Sequence, residues 1–228
     1  MSLVEYQATQ PATRELFKHW RKDDKWIERD DVWIKFLERK GKMTVGYGSP
    51  RCIGPELEFG AAVGDRYDEP VLLIKTAWGG RSLNTEFRPP SAGPYELNDF
   101  QKKLYYGPPA HGVPKDMNQW LAEKKKETGR FYRYMIEHVK HVLADPKRVC
   151  PAYDPAAGYE IAGFVWFQGF NDLVDGHSYP NHGKPDRFAA YSDLLTHFIR
   201  DVRKDLGAPK MPFVIGVLGV DGMKANQD

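Results

Sequence analysis

The run from Ile161 to Phe167 is almost wholly apolar, with the β-branched and aromatic side chains of a strand buried on both faces. It stops abruptly at Gln168-Gly169-Phe170-Asn171-Asp172, where amide and carboxylate groups are suddenly concentrated. Val71 to Lys75 has the same buried-strand composition and runs into Thr76-Ala77-Trp78-Gly79-Gly80. A third strand, Phe213 to Leu218, opens after Met211-Pro212 and leads to the turn Gly219 to Gly222. Between these runs the apolar period changes to that of a helix. Pro55 starts one helix that carries Leu57, Phe59, Ala62 and Val63 inward as far as about Arg66. Met117 to Leu143 carries a stripe of Trp120, Leu121, Phe131, Tyr134, Met135, Val139 and Val142, with Asp116 as N-cap and Gly129 as a point of interruption. The clearest helix carries Phe188, Tyr191, Leu195, Phe198, Ile199, Val202 and Leu206 on one face, and Gly207 sits where a C-cap belongs.

The first fifty residues follow a different rhythm. Pro11 to Arg21 predicts a short amphipathic helix through Leu16, Phe17 and Trp20. Trp26 to Arg29, Val32 to Leu37 and Met43 to Tyr47 predict short extended pieces, an antiparallel excursion from the main sheet. From Arg81 to Pro114 the chain is rich in Pro, Gly and aromatics without a clear period, as in a loop that covers a site. A second loop runs from Val174 to Pro185. Strands that alternate with helices argue for an α/β fold with a parallel sheet and right-handed crossovers.

In such a sheet, ligands gather outside the carboxyl ends of the strands. Three strand ends there supply Gly79-Gly80, Gln168 to Asp172 and Gly219 to Gly222. Backbone N–H groups at a Gly-Gly turn are open to an anion because no Cβ blocks the approach. Asn and Gln amides are neutral donors suited to an oxyanion. The bland alternative is that Asn171 and Asp172 serve only as turn formers and helix caps.

Composition narrows the partners. A hydrophobic content of 41% and aromatic content of 13% over 228 residues fit one packed domain, expected to span residues 1–228. The net charge is +2, and the basic run Lys124 to Lys126 is flanked by Glu123 and Glu127, a solvated helix face with no nucleic acid to bind. No window approaches the roughly 18 consecutive apolar residues of a membrane span. No metal is expected, because no His/Cys/Asp cluster has ligand spacing. No cofactor is expected either: Gly46-Tyr47-Gly48 lacks the third glycine of a dinucleotide turn. Cys52 and Cys150 leave pairing open. Met1-Ser2-Leu3-Val4-Glu5 starts no apolar h-region, and localisation and oligomeric state are not legible.

Four blocks resemble a known family. Gly169-Phe170-Asn171-Asp172 is similar to the G-x-N-D block of the SGNH hydrolases. The longer Trp166-Phe167-Gln168-Gly169-Phe170-Asn171-Asp172 resembles the W-x-Q-G-x-x-D block of sialate O-acetylesterase-like carbohydrate esterases. Gly54-Pro55-Glu56-Leu57-Glu58-Phe59-Gly60, the run from Leu73 to Leu83, and the pair Phe198–Arg203 with Pro212–Ile215 resemble further segments of that group, in the same order. The resemblance implies a flavodoxin-like three-layer α/β/α fold and deacylation by a serine, a histidine and an aspartate, on an acylated carbohydrate substrate. It implies that Gly80 gives an oxyanion-hole N–H, and that Asn171 or Gln168 gives the side-chain donor. Gly79, Gly169, Asp172 and Trp78 would line the substrate site.

The departures are as informative. The family's G-x-S turn follows its first strand, upstream of every match here, and its D-x-x-H stretch lies downstream of every match. No histidine here stands three residues after an aspartate. The expectation is therefore an incomplete domain, lacking its first strand, its C-terminal segment, the nucleophile and the base. Substitutes within the chain are Ser82, in a Gly80-Arg81-Ser82-Leu83 turn, and, as base, His177 or His182 in the loop after Asp172. Gly48-Ser49-Pro50 is less apt, because Pro50 offers no N–H to an oxyanion. Two functions follow: an O-acyl esterase, or a non-catalytic relative that keeps the pocket as a glycan-binding or interaction module.

Overall fold

The computed structural model describes residues 2–48, 52–108, 114, 116–181 and 183–218. Ser49, His182 and the turn Gly219 to Gly222 lie outside the described residues. The fold is mixed α/β, with helices and small sheets, and falls into two compact units.

The first unit comprises Met1–Ala77 and His138–Tyr159. It opens with α1 (Leu3–Thr9), which the apolar pattern does not signal. Ser2 starts it through a capping box, its hydroxyl accepting from the Glu5 N–H while the Glu5 carboxylate accepts from the Ser2 N–H. The helix expected over Pro11 to Arg21 is a 3-10 turn, Arg14–Trp20; it buries Trp20 and leaves Leu16 66% exposed. Tighter winding breaks the helical stripe, since a residue three places on eclipses its predecessor. Two residue pairs, β1 (Arg21–Lys22) and β2 (Lys25–Trp26), then form a short antiparallel hairpin.

The sheet of this unit has the order β4-β3-β5. Strand β3 (Val32–Phe36) pairs antiparallel with β4 (Arg39–Lys42) and parallel with β5 (Val71–Lys75). Val32 and Ile34 point into the core, where Trp20, Met43, Leu57 and Ala61 meet them. The extended piece expected over Met43 to Tyr47 is displaced: the strand is the basic segment before it. Leu37, with φ +50°, turns the chain tightly enough to bring Arg39 opposite Phe36. Helix α2 (Glu56–Gly64) follows Pro55 and packs Leu57 and Ala61 inward. Cys52 is exposed, Cys150 is buried, and both are free thiols.

The second unit comprises Trp78–Glu137 and Glu160–Asp228. The long aperiodic stretch after Arg81 is not all loop. Asn98 caps α3 (Asp99–Tyr105) in a reciprocal box with Gln101. The predicted long helix is two, α4 (Met117–Glu127) and α5 (Arg130–Leu143), divided at Thr128-Gly129. Gly129 has φ +65°, and its N–H donates to the Thr85 carbonyl at 2.9 Å, so the break is fixed by the neighbouring segment. Asp116 caps α4 through the Gln119 N–H, as its sequence position implies.

Two strands, β6 (Phe164–Trp166) and β7 (Phe213–Ile215), pair in parallel. They are shorter than the runs 161–167 and 213–218 that composition favours, and Val165, Val214 and Ile215 in them are exposed. Between them lie the single turn-and-a-half α6 (Phe170–Val174) and the long α7 (Ala189–Asp205). Leu195, Phe198 and Val202 of α7 bury against Leu83, Phe87, Phe131, Met135 and Trp166. The Trp166 and Phe198 rings lie 4.3 Å apart between centroids. Trp166, the last residue of β6, belongs to this core and stands two positions before Gln168.

Candidate functional site

The site is assembled by the turn that follows β5 and by the residues that follow β6. Gly80 has φ +72°, a conformation that a side chain makes costly, and nothing lies within 4 Å of where its Cβ would stand. Gly79 and Gly80 are exposed, and their N–H groups are bonded to no described residue. One residue later the Arg81 carbonyl accepts a hydrogen bond from Gln168 Nε2 at 2.9 Å. The glycine turn and the Gln168–Asp172 block are therefore side by side.

Asp172 makes this contact rigid. Its side chain is 1% exposed. Its Oδ2 accepts from the Leu83 N–H at 2.8 Å and from Gln168 Nε2 at 2.7 Å. Its Oδ1 accepts from the Asn84 N–H at 3.1 Å and from the Tyr179 hydroxyl at 2.9 Å. Burial pushes the Asp172 carboxyl above the usual carboxylate range, and the four donors pull against that shift. Tyr179 in turn is pushed up by burial and by the Asp172 carboxylate it faces. The carboxylate points into the protein, with both oxygens engaged.

The two amides next to it differ. Both N–H groups of Gln168 are taken, by the Arg81 carbonyl and by Asp172. Its Oε1 accepts from the Tyr191 hydroxyl at 3.1 Å, and that hydroxyl also reaches the Gln168 carbonyl and accepts from Trp166 Nε1. Asn171 is half-buried, and its side chain makes no hydrogen bond among the described residues. Gly169 begins α6, its carbonyl accepting from the Leu173 N–H at 2.7 Å. Trp78 packs edge-on against Phe131 at 5.2 Å and belongs to the aromatic core.

Ser82 is a local cap. Its hydroxyl donates to Glu86 Oε2 at 2.9 Å and accepts from the Thr85 N–H at 3.1 Å, while its own N–H also reaches Glu86. No described histidine bonds to it. His177 is held elsewhere in the unit, with Nδ1 3.1 Å from the Tyr105 hydroxyl, its ring edge-on to Tyr105, and its carbonyl accepting from Asn98. Burial pushes the Tyr105 phenol up to about 12, so it stays protonated near neutrality. No group of three or more His, Cys, Asp or Glu residues that could hold a metal occurs among the described residues.

Sequence reasoning missed Tyr179, Tyr191 and the Leu83 and Asn84 N–H groups, which fix the site from outside the motif. Tyr179, in the polar stretch Gly176 to Asn181, was an available signal, whereas Tyr191 reads only as part of the apolar stripe of its helix. Backbone donors leave none.

Three comparisons bear on this arrangement. A solved structure of a protein from Arabidopsis thaliana is similar at a TM-score of 0.48 and 16% identity, over 88% of this chain. The match covers 66% of that relative's own length. No curated protein matches the chain. A family profile described as carbohydrate esterase, sialic acid-specific acetylesterase, matches residues 108–228, more than half of the 228. The chain belongs to that carbohydrate esterase family.

Proposed function

We propose that this chain is a serine-type carbohydrate O-acyl esterase domain, with the Gly80 N–H and the Asn171 amide as the oxyanion donors. The observation that carries this reading is the clamp of Gln168 and Asp172 on Arg81, Leu83 and Asn84. It ties the residues that follow the exposed glycine turn to the block that carries Asn171, whose side chain has no hydrogen-bond partner among the described residues, while the competing amide of Gln168 is engaged. Donors fixed before reaction stabilise a tetrahedral oxyanion without reorganisation. The parallel pairs β3/β5 in the first unit and β6/β7 in the second are each of the kind from which a three-layer α/β/α fold is built.

Acyl transfer to water also needs an activated hydroxyl and a base. The family motif puts these in a G-x-S turn and a D-x-x-H stretch, while the Ser82 hydroxyl is occupied by Glu86. That engagement argues against Ser82 as the nucleophile; the second reading, a glycan-binding module derived from the esterase, needs no nucleophile. The test is hydrolysis of p-nitrophenyl acetate by this chain and by a form of the protein carrying both blocks. Turnover by the second form that drops on Asn171→Ala supports the esterase. Glycan binding without turnover in either form selects the binding module.

A further inference from the structure

A cavity of about 330 Å³ opens in the second unit on α7 and the segment from Asn84 to Gln101, within the size range of small-molecule sites. Its lining does not include Gly79, Gly80, Gln168 or Asn171. It is joined to the clamp through Asn84, whose N–H bonds to Asp172 and whose side chain lines the cavity. The polar groups around it are unevenly engaged. Half-buried Arg88 donates to the Gly93, Ala92 and Asn84 carbonyls and to Asn84 Oδ1. Four bonds to neutral oxygens, from a group with five N–H donors, leave no free fork for a carboxylate.

The acceptors are the free groups. Glu96 and Asp193 line the cavity, are exposed, and form no hydrogen bond or salt bridge with any described residue. His197 also lines it; its Nδ1 is 2.8 Å from the Ser91 hydroxyl, which leaves Nε2 without a described partner. One guanidinium against two carboxylates makes the lining formally negative when His197 is neutral. Such a site repels anions and suits a ligand with many hydroxyl donors.

We propose that this cavity holds a neutral pyranose ring, the non-reacting sugar of an acylated saccharide, with Glu96 and Asp193 accepting from its hydroxyls and His197 Nε2 completing the set. The assignment rests on the esterase reading for its biological sense, but binding is measured on sugars that carry no acyl group, so the two fail separately. It also predicts selection against acid sugars at this position, whatever the family name suggests.

The experiment is a titration of the purified chain, followed by saturation-transfer NMR and calorimetry. The probes are the methyl pyranosides of glucose, galactose, mannose and xylose, with glucuronate and N-acetylneuraminate as anionic counterparts. The expected result is that at least one neutral glycoside binds more tightly than both acids, and that Glu96→Gln with Asp193→Asn weakens it at least tenfold. Both residues are exposed and unpaired, so the double variant should keep the parent circular dichroism and unfolding midpoint. Binding of no neutral glycoside overturns the proposal. So does tighter binding of either acid, or unchanged affinity in the folded double variant.

Discussion

The Asp172 carboxylate accepts the backbone N–H of Leu83 at 2.8 Å, across 89 positions of sequence. The same side chain takes three further donors, from Asn84, Gln168 and Tyr179. A buried acceptor with four donors ties the Leu83–Asn84 turn to α6 and Tyr179 more firmly than apolar contact alone, because each donor left unpaired would cost free energy. Asp172→Asn keeps the shape and replaces one oxygen with an amide that donates. Two of the four donors then lose their acceptor. The variant should be less stable by about 3 kcal/mol, read from urea unfolding midpoints at constant m-value. A loss below about 0.5 kcal/mol would mean that the clamp is decorative.

Asn171 and Gln168 should separate stability from chemistry. Asn171 has no described hydrogen bond to lose, so Asn171→Ala should leave the unfolding free energy within about 0.5 kcal/mol of the parent. Gln168→Ala removes donors to Arg81 and Asp172 and an acceptor for Tyr191, and should cost about 2 kcal/mol. In the form that turns over p-nitrophenyl acetate, Asn171→Ala should lower kcat by about a hundredfold or more. Equal stability losses in the two variants would reverse the assignment of donors.

These contrasts also mark what a sequence can show. Strand β5 and helix α7 were legible because an apolar run and a long amphipathic stripe repeat the same instruction many times, although β5 is half-buried along its whole length and not enclosed on both faces. The G-F-N-D block was legible as chemistry, since amides and a carboxylate crowd one strand end. Which amide is free was not: that depends on the Arg81 carbonyl, 87 positions away, reaching Gln168. Helix α3 was hidden because its signal is a two-residue capping box inside a Pro- and Gly-rich stretch. Strand β4 was hidden because Arg39 to Lys42 carries no apolar period at all. Its charges suit an edge strand, and the hairpin at Leu37, not burial, puts it in the sheet.

The glycine pair offers a conformational test in which no contact changes. A Cβ at Gly79 or at Gly80 would meet nothing within 4 Å, and only Gly80 has a positive φ. Gly80→Ala should therefore destabilise by about 1 kcal/mol, the cost of the left-handed region for an L-residue. Gly79→Ala should stay within about 0.5 kcal/mol of the parent. Both follow from denaturant titrations. If the two alanines cost the same, the turn has a different backbone from the one described.

His138, on α5 in the first unit, contributes to the pH dependence of stability. Its Nε2 is buried and unpaired among the described residues. Burial lowers its pKa from the ordinary 6.5, and Lys35 and His141 push the same way, against a weaker opposite pull from Glu38. The folded state thus holds the ring neutral where the unfolded chain would protonate it. The unfolded state binds more protons in that window, so this residue's share of stability is complete above the ordinary histidine pKa and is lost as pH falls through it. His138→Leu removes both the titration and the unpaired nitrogen. At about pH 8 it should gain roughly 1 kcal/mol, from the unpaired group alone. At about pH 5 the gain should be larger, because the parent then also bears the cost of protonation. Unfolding free energies of both proteins at the two pH values decide it: a gain that does not grow on acidification would mean that His138 is charged in the fold.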